Sequence, residues 1–220
     1  MNFEHTEDRR MLADMLRRFV AEQYDFATRE RHAKMAQGYN PEFWRRYAEL
    51  GAIGALFAEE HGGLGGAGFD ISVVFEALGR GLVLEPFLDA LMVGSAIARA
   101  GNPAQREALD GLIAGGITAA LAAAEPDGGY ALNAVRTRAE RRGDGWVLNG
   151  AKAGVAGGEH ADLLLVSART AGAEDDEAGI SLFLVSAGTA GLTARGYELI
   201  DGGRAAELTF ENVALGADSL

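Results

Sequence analysis

The chain has 220 residues, no cysteine, 48% apolar residues and a formal net charge of −12. That length and apolar content suffice for one large core or two small ones. The acidic balance excludes a broad nucleic-acid-binding face, since phosphate backbones draw their affinity from clustered Lys and Arg, and the missing thiols exclude disulfides, cysteine nucleophiles and cysteine-ligated metals.

The four histidines, His5, His32, His61 and His160, show no metal-ligand spacing, so no metal site is expected and all four read as surface or loop residues. Met1 leads into Glu4, Glu7 and Asp8 with no basic stretch before an apolar one. No apolar run reaches the ~18 residues of a spanning helix. The expectation is a cytoplasmic protein without a membrane anchor.

In chain order, Met11, Leu12, Met15, Leu16, Phe19 and Val20 recur on one helix face, with Thr6 as N-cap and Glu7 and Asp8 in the first turn. Asn40-Pro41 starts a second helix carrying Phe43, Trp44, Tyr47 and Leu50, which Gly51 ends. Residues 59–68 are too glycine-rich for regular structure and lack the spacing of a phosphate-binding loop, so they read as a tight connection. Asp70 is expected to cap a third helix bearing Ile71, Val74, Phe75 and Leu78; a fourth runs from about Pro86 to Ala100, and Asn102-Pro103 starts another towards Leu112.

From Ile117 the pattern shortens to strands: 117–124, 135–141, 146–148, 163–166, 180–185 and 208–210. The turn Arg142-Gly143-Asp144-Gly145 joins two of them as a hairpin. Glu174 to Glu177 read as a solvated loop tip, and Arg136, Arg138, Arg141 and Arg142 as a solvated strand face. The expected fold is α+β, with an N-terminal helical-bundle domain over 1–115 and a small antiparallel β-barrel or sandwich domain over 116–220.

Three segments occur in an informative order: Glu59-Glu60-His61-Gly62-Gly63-Leu64-Gly65-Gly66, then Leu121 to Pro126 ending in Glu-Pro, then Gly143 to Lys152 with its Leu-Asn-Gly-x-Lys ending and the following Ala161-Asp162. Together they resemble the acyl-CoA dehydrogenases across essentially the whole chain. The resemblance implies helical, β and second helical domains, FAD held beside the β domain, and α,β-desaturation of an acyl-CoA thioester, with electrons leaving to an electron-transfer flavoprotein. It carries cofactor contacts to Leu121, Ala123, Ala124, Gly154 and Ala156. It places the catalytic glutamate in a C-terminal helical domain beyond Leu220, so no catalytic residue and no substrate-binding residue are assigned. Glu125 falls on a structural motif position. The run Phe210 to Leu215 resembles the segment that closes the family's β domain, so a longer protein cut at a domain boundary is expected.

Several positions depart from the family pattern. Ala124 stands where the family has a flavin-contacting threonine, Gly154-Val155-Ala156 where it has Trp-Ile-Thr or Trp-Ile-Ser, and Gly129-Tyr130-Ala131 where it has Gly-Ser-Asp. These losses point to a degenerate subunit that pairs with an unlike acyl-CoA dehydrogenase-like partner, homo-oligomers being the other assembly. Two further readings share the fold: a scaffold that binds no flavin, and an acyl-CoA oxidase or flavin monooxygenase.

Overall fold

The computed structural model describes residues 4–220. Six α-helices come first: α1 Glu7–Gln23, α2 Phe26–Ala33, α3 Pro41–Glu49, α4 Gly68–Gly81, α5 Phe87–Ala100 and α6 Pro103–Ile113. Seven strands follow: β1 Ala119–Ala122, β2 Arg138–Arg142, β3 Gly145–Ala156, β4 Leu163–Arg169, β5 Ile180–Ser186, β6 Leu192–Glu198 and β7 Arg204–Leu215. This is the mixed α+β architecture expected from the sequence. Among the described residues no helix is long and apolar enough to cross a membrane.

The helix starts follow local chemistry. The Thr6 hydroxyl accepts the Arg9 N–H, Asn40 accepts the Glu42 N–H, and Asn102 and Gln105 exchange hydrogen bonds as a reciprocal pair. Asp70 is a correction. It lies in the first turn of α4, two residues after Gly68, so it cannot be the cap; its Oδ2 reaches back 3.0 Å to the Ala67 N–H, while its other oxygen takes Arg9 Nε at 2.6 Å. That ion pair ties α1 to α4, the helices that pack most extensively on each other.

The helical core gathers Leu16, Val20, Trp44, Tyr47, Leu56, Val74, Phe87 and Val93, and it extends onto the sheet through Ala119 and Leu165. Leu16 and Tyr47 are fully buried, and an aliphatic side chain the size of Leu16 stabilises by about 1.5–3 kcal/mol. His32 is a second correction: it is buried on α2 against Phe43 and Tyr24, ring centroids 4.6 and 5.2 Å away, and not at the surface. The glycine-rich loop folds onto Phe57, whose carbonyl accepts the Gly65 N–H at 2.9 Å. A Cβ at Gly63 would run into that same carbonyl oxygen, which is why the position takes glycine.

The strands form one seven-stranded sheet in the order β1-β4-β2-β3-β7-β6, with β5 also paired to β4. Most pairings are antiparallel, as expected. β1 and β4 run parallel, and β2 meets β4 in a single parallel bridge at Arg138 and Arg169, because longer connections, not hairpins, bring those strands together. The inner face packs Leu148, Val155, Val166, Phe183, Leu208 and Phe210. The arginines of β2 and the residues leading into it are solvated, as read: Arg136 pairs with Glu174, and Arg141 lies over Trp146.

Beneath the acidic loop tip, the Arg169 guanidinium is buried and meets no carboxylate. It donates instead to the main-chain carbonyls of Asn133, Val135, Ala171, Glu174, Asp176 and Ala178, at 2.9–3.4 Å. Its planar fork of donors matches this ring of acceptors, which a single ammonium could not.

Candidate cofactor shelf and its foundation

Strand periodicity sorts the residues around β1 and β3 by face. On β3, Lys152 and Val155 turn inward and are buried, while Gly154 and Ala156 are exposed. Beside them the chain leaves β1 through Ala123 and Ala124, and the Ala153 N–H donates to the Ala124 carbonyl at 2.9 Å. Ala124, Gly154 and Ala156 are exposed on this side of the sheet with Ala123 half-buried beside them, whereas Leu121 packs against the helical core. Four of the five predicted cofactor residues come together here. Leu121 stands apart in one respect, since its N–H is spent on Asp89 Oδ1 at 3.2 Å.

Under this shelf lies a closed ionic pin. Lys152 Nζ donates to Glu125 Oε1 at 2.7 Å, Ser167 Oγ at 2.9 Å and the Ala123 carbonyl at 3.1 Å, which uses all three ammonium protons. Glu125 also accepts the Thr137 N–H at 3.0 Å and the Arg136 N–H at 2.7 Å. Burial works against its charge, but the hydrogen bonds from Lys152, Thr137 and Arg136 outweigh it and hold the carboxyl below its ordinary value. For Lys152 burial wins and its proton affinity is lowered, with Glu125 opposing. A buried carboxylate held in its charged form by three donors is a poor acceptor of a ligand's proton. Its hydrogen bonds tie the end of β1 to β3 and to the segment that leads into β2.

The shelf is bounded on its β6 side. Between Lys152 and Val155 strand β3 bulges against β7, placing Glu207 opposite Gly154. Glu207 Oε1 accepts the Tyr197 hydroxyl at 3.0 Å and the Gly154 N–H at 3.4 Å. The hydrogen bond to Glu207 raises the phenol's pKa. Gly154 has φ +63°, and a Cβ built on it would meet nothing within 4 Å. The surface above it is open.

On the helix side Ala156 also edges a cleft of about 190 Å³ between the helices and the sheet, which Tyr39, Asp89, Thr118, His160 and Arg204 line. Burial pushes the Asp89 carboxyl up to about 6, against the Leu121 N–H that favours its charge. Arg204 is held by Glu159 at 2.7 Å. Among the described residues no group of His, Asp and Glu is arranged to hold a metal ion.

Two features escaped sequence reasoning. The Lys152 pin had a signal, a lysine at an inward position of an alternating strand. Tyr197, Glu207 and Asp89 had none, because each reaches the shelf through strand register or helix packing.

The donor set fits a flavin in part. The open surface over Gly154 and the methyl side chains of Ala124 and Ala156 leave room for a flat ring, while the contacts they offer are main-chain and van der Waals only.

Comparison with known proteins bears on the same residues. The family model described as acyl-CoA dehydrogenase, N-terminal domain, matches residues 6–116, and that for the acyl-CoA dehydrogenase middle domain matches residues 120–213. The mitochondrial long-chain specific acyl-CoA dehydrogenase of Rattus norvegicus is 36% identical over 187 residues, covering 81% of this chain and 43% of the relative. Among solved structures, the ChsE4-ChsE5 complex from Mycobacterium tuberculosis superposes with TM-score 0.86 at 25% identity, over 100% of this chain and 58% of that one. A glutaryl-CoA dehydrogenase from Mycobacterium smegmatis in complex with FADH2 gives TM-score 0.82 at 27% identity, over 98% of this chain and 55% of that one. The chain spans about half the length of the curated relatives it matches. With both family models matching and the helical and β portions superposing throughout, the chain belongs to the acyl-CoA dehydrogenase family.

Proposed function

We propose that residues 1–115 and 116–220 form the N-terminal helical and middle β domains of an FAD-dependent subunit that takes part in α,β-desaturation of an acyl-CoA thioester, within a complex that includes an unlike acyl-CoA dehydrogenase-like chain. The observation that carries this reading is the open shelf of Ala124, Gly154 and Ala156 set rigidly on the Glu125–Lys152 pin. The cofactor-bearing dehydrogenase and the two-chain complex among its structural neighbours support it.

FAD on this shelf would supply the acceptor for the hydride leaving the acyl β carbon. The residues of this chain do the seating. The methyl groups at 124 and 156 and the bare main chain at 154 would let a ring lie close to the backbone, with Ala123 half-buried at the edge. The pin keeps the end of β1 in register with β3, since Lys152 of β3 grips the Ala123 carbonyl. None of Leu121, Ala123, Ala124, Gly154 and Ala156 carries a titratable side chain, and the Glu207 carboxylate beside them is engaged by the Tyr197 hydroxyl and the Gly154 N–H, so proton abstraction from the α carbon is assigned to a carboxylate elsewhere in the assembly. Electrons would leave to an electron-transferring flavoprotein.

The second reading is a scaffold subunit without flavin, and it is favoured by the methyl groups at 124 and 156, which offer no hydroxyl to a cofactor. The test is to express the chain alone and together with an unlike dehydrogenase-like subunit, then record the visible spectrum and the stoichiometry. A yellow complex with both chains supports the proposal. A yellow homo-oligomer sinks the unlike-partner part, and colourless preparations in both cases sink the flavin part.

A further inference from the structure

We infer that Tyr197 is a cofactor-contacting residue of this shelf, an aromatic wall delivered from β6 to the space that Gly154 leaves open on β3. The inference rests on the cofactor reading above.

The geometry carries it in three steps. First, strand register puts Tyr197 on the shelf face. Both Tyr197 and Ala156 pair with Ala205 of β7, so the three residues form one row across the sheet, and directly paired residues share a face. The opposite face of the neighbouring row belongs to the core, through Val155 and Ala206. Second, the phenol is aimed at β3. Glu207 lies two residues from Ala205 on that same face, and one of its oxygens holds the Tyr197 hydroxyl and the Gly154 N–H together. Spanning from β6 across β7, the ring is drawn to the edge of the empty space over Gly154. Third, the space has no other occupant of aromatic character. Trp146, the tryptophan of the sheet, stands at the other end of β3 against Phe183, ring centroids 5.3 Å apart.

A phenol in this position offers a flat heterocycle a ring contact and a hydrogen-bonding hydroxyl. Glu207 is then a positioning residue, since it touches the phenol and the Gly154 amide and sets where the ring stands.

The test is an FAD titration of the complex of this chain with an unlike acyl-CoA dehydrogenase-like subunit, with wild type and variants of this chain and the unlike subunit titrated alone as the baseline, read by flavin fluorescence and visible absorption, with thermal unfolding recorded alongside. Phenol and indole quench excited flavin, whereas phenyl and alkyl groups do not. Wild type is expected to bind FAD and quench it. Y197F should keep the affinity within about twofold but lose most of the quenching, and Y197L should lose the quenching and weaken binding about three- to tenfold, the range of a single aromatic contact. Y197W should restore both. E207Q should reduce quenching with a smaller change in affinity. Unchanged melting temperatures separate these effects from unfolding. Wild type that binds FAD, with Y197L binding and quenching equally, overturns the role of Tyr197 and leaves the cofactor reading intact. Wild type that takes up no FAD overturns the cofactor reading and Tyr197's role with it.

Discussion

Replacing Glu85 by glutamine should make the protein more stable in mild alkali and leave it nearly unchanged in mild acid. Glu85 links α4 to α5, and its side chain is wholly buried. Tyr24 donates to Oε2 at 2.9 Å and the Asn40 N–H to Oε1 at 3.4 Å, while His32 Nδ1 stands 3.7 Å from Oε1. Burial outweighs these hydrogen bonds and pushes the carboxyl from 4.5 up to about 7. His32 does not offset this as a cation, because its own burial lowers its proton affinity. The folded chain therefore keeps a proton at Glu85 that the unfolded chain releases above pH 4.5. The stabilisation is complete below that value and disappears as pH rises towards about 7. At ~1.4 kcal/mol for each tenfold change in proton affinity, the window contains about 3 kcal/mol. The substituted glutamine stays neutral throughout and can turn its amide nitrogen to the Tyr24 oxygen. Urea denaturation of both proteins at regular steps from mild acid to mild alkali, followed by tryptophan fluorescence, should show wild type losing stability relative to E85Q across the series. Taking the difference between the two removes titration common to both, including that of Asp89. A difference that stays constant with pH would refute the reasoning.

Three other outcomes are expected from the same structure. Lys152→Met strands the Glu125 carboxylate in the interior and should destabilise by about 3–5 kcal/mol, with K152M/E125Q recovering part of that loss in thermal melts. Arg169→Lys leaves carbonyls of the 133–135 and 171–178 segments without donors, at about 1–3 kcal/mol for each buried one; limited proteolysis should then cut near residues 171–179 faster than in wild type. Gly63→Ala drives a methyl group into the Phe57 carbonyl and should cost about 1–3 kcal/mol, whereas Gly68→Ala, whose Cβ meets nothing within 4 Å, should cost nothing measurable by the same melt.

The helices that announce their own ends were readable. Thr6, Asn40 and Asn102 are caps whose effect is local, and α5 and α6 follow from proline and glycine punctuation. α2 was missed because its eight residues, Phe26–Ala33, have little apolar periodicity and bury only His32. β6 was missed for a related reason: an edge strand has one paired side, and Leu192–Glu198 is largely exposed, with no alternation to see. β3 and β7 extend well past their readable cores because each is completed by the other's hydrogen bonds, across a bulge that no single segment encodes. At the shelf, Ala124 and Gly154 were legible through the family resemblance of the segments that carry them. Tyr197 and Glu207 were not, since their meeting with Gly154 depends on which residue of β7 faces which residue of β6.

The Arg169 cage bears on how freely this protein can change. A guanidinium that grips carbonyl oxygens ignores the identity of the residues carrying them, so its hold on these segments passes through the main chain, with Asp176 and Asn133 adding side-chain bonds to Ala173 and Asp175. Apart from Asp176, which accepts the Ala173 N–H, the acidic tip between β4 and β5 can then exchange residue for residue while its path over the sheet stays the same. The anchor converts a stretch of surface into a mount whose shape is inherited and whose face is open to variation.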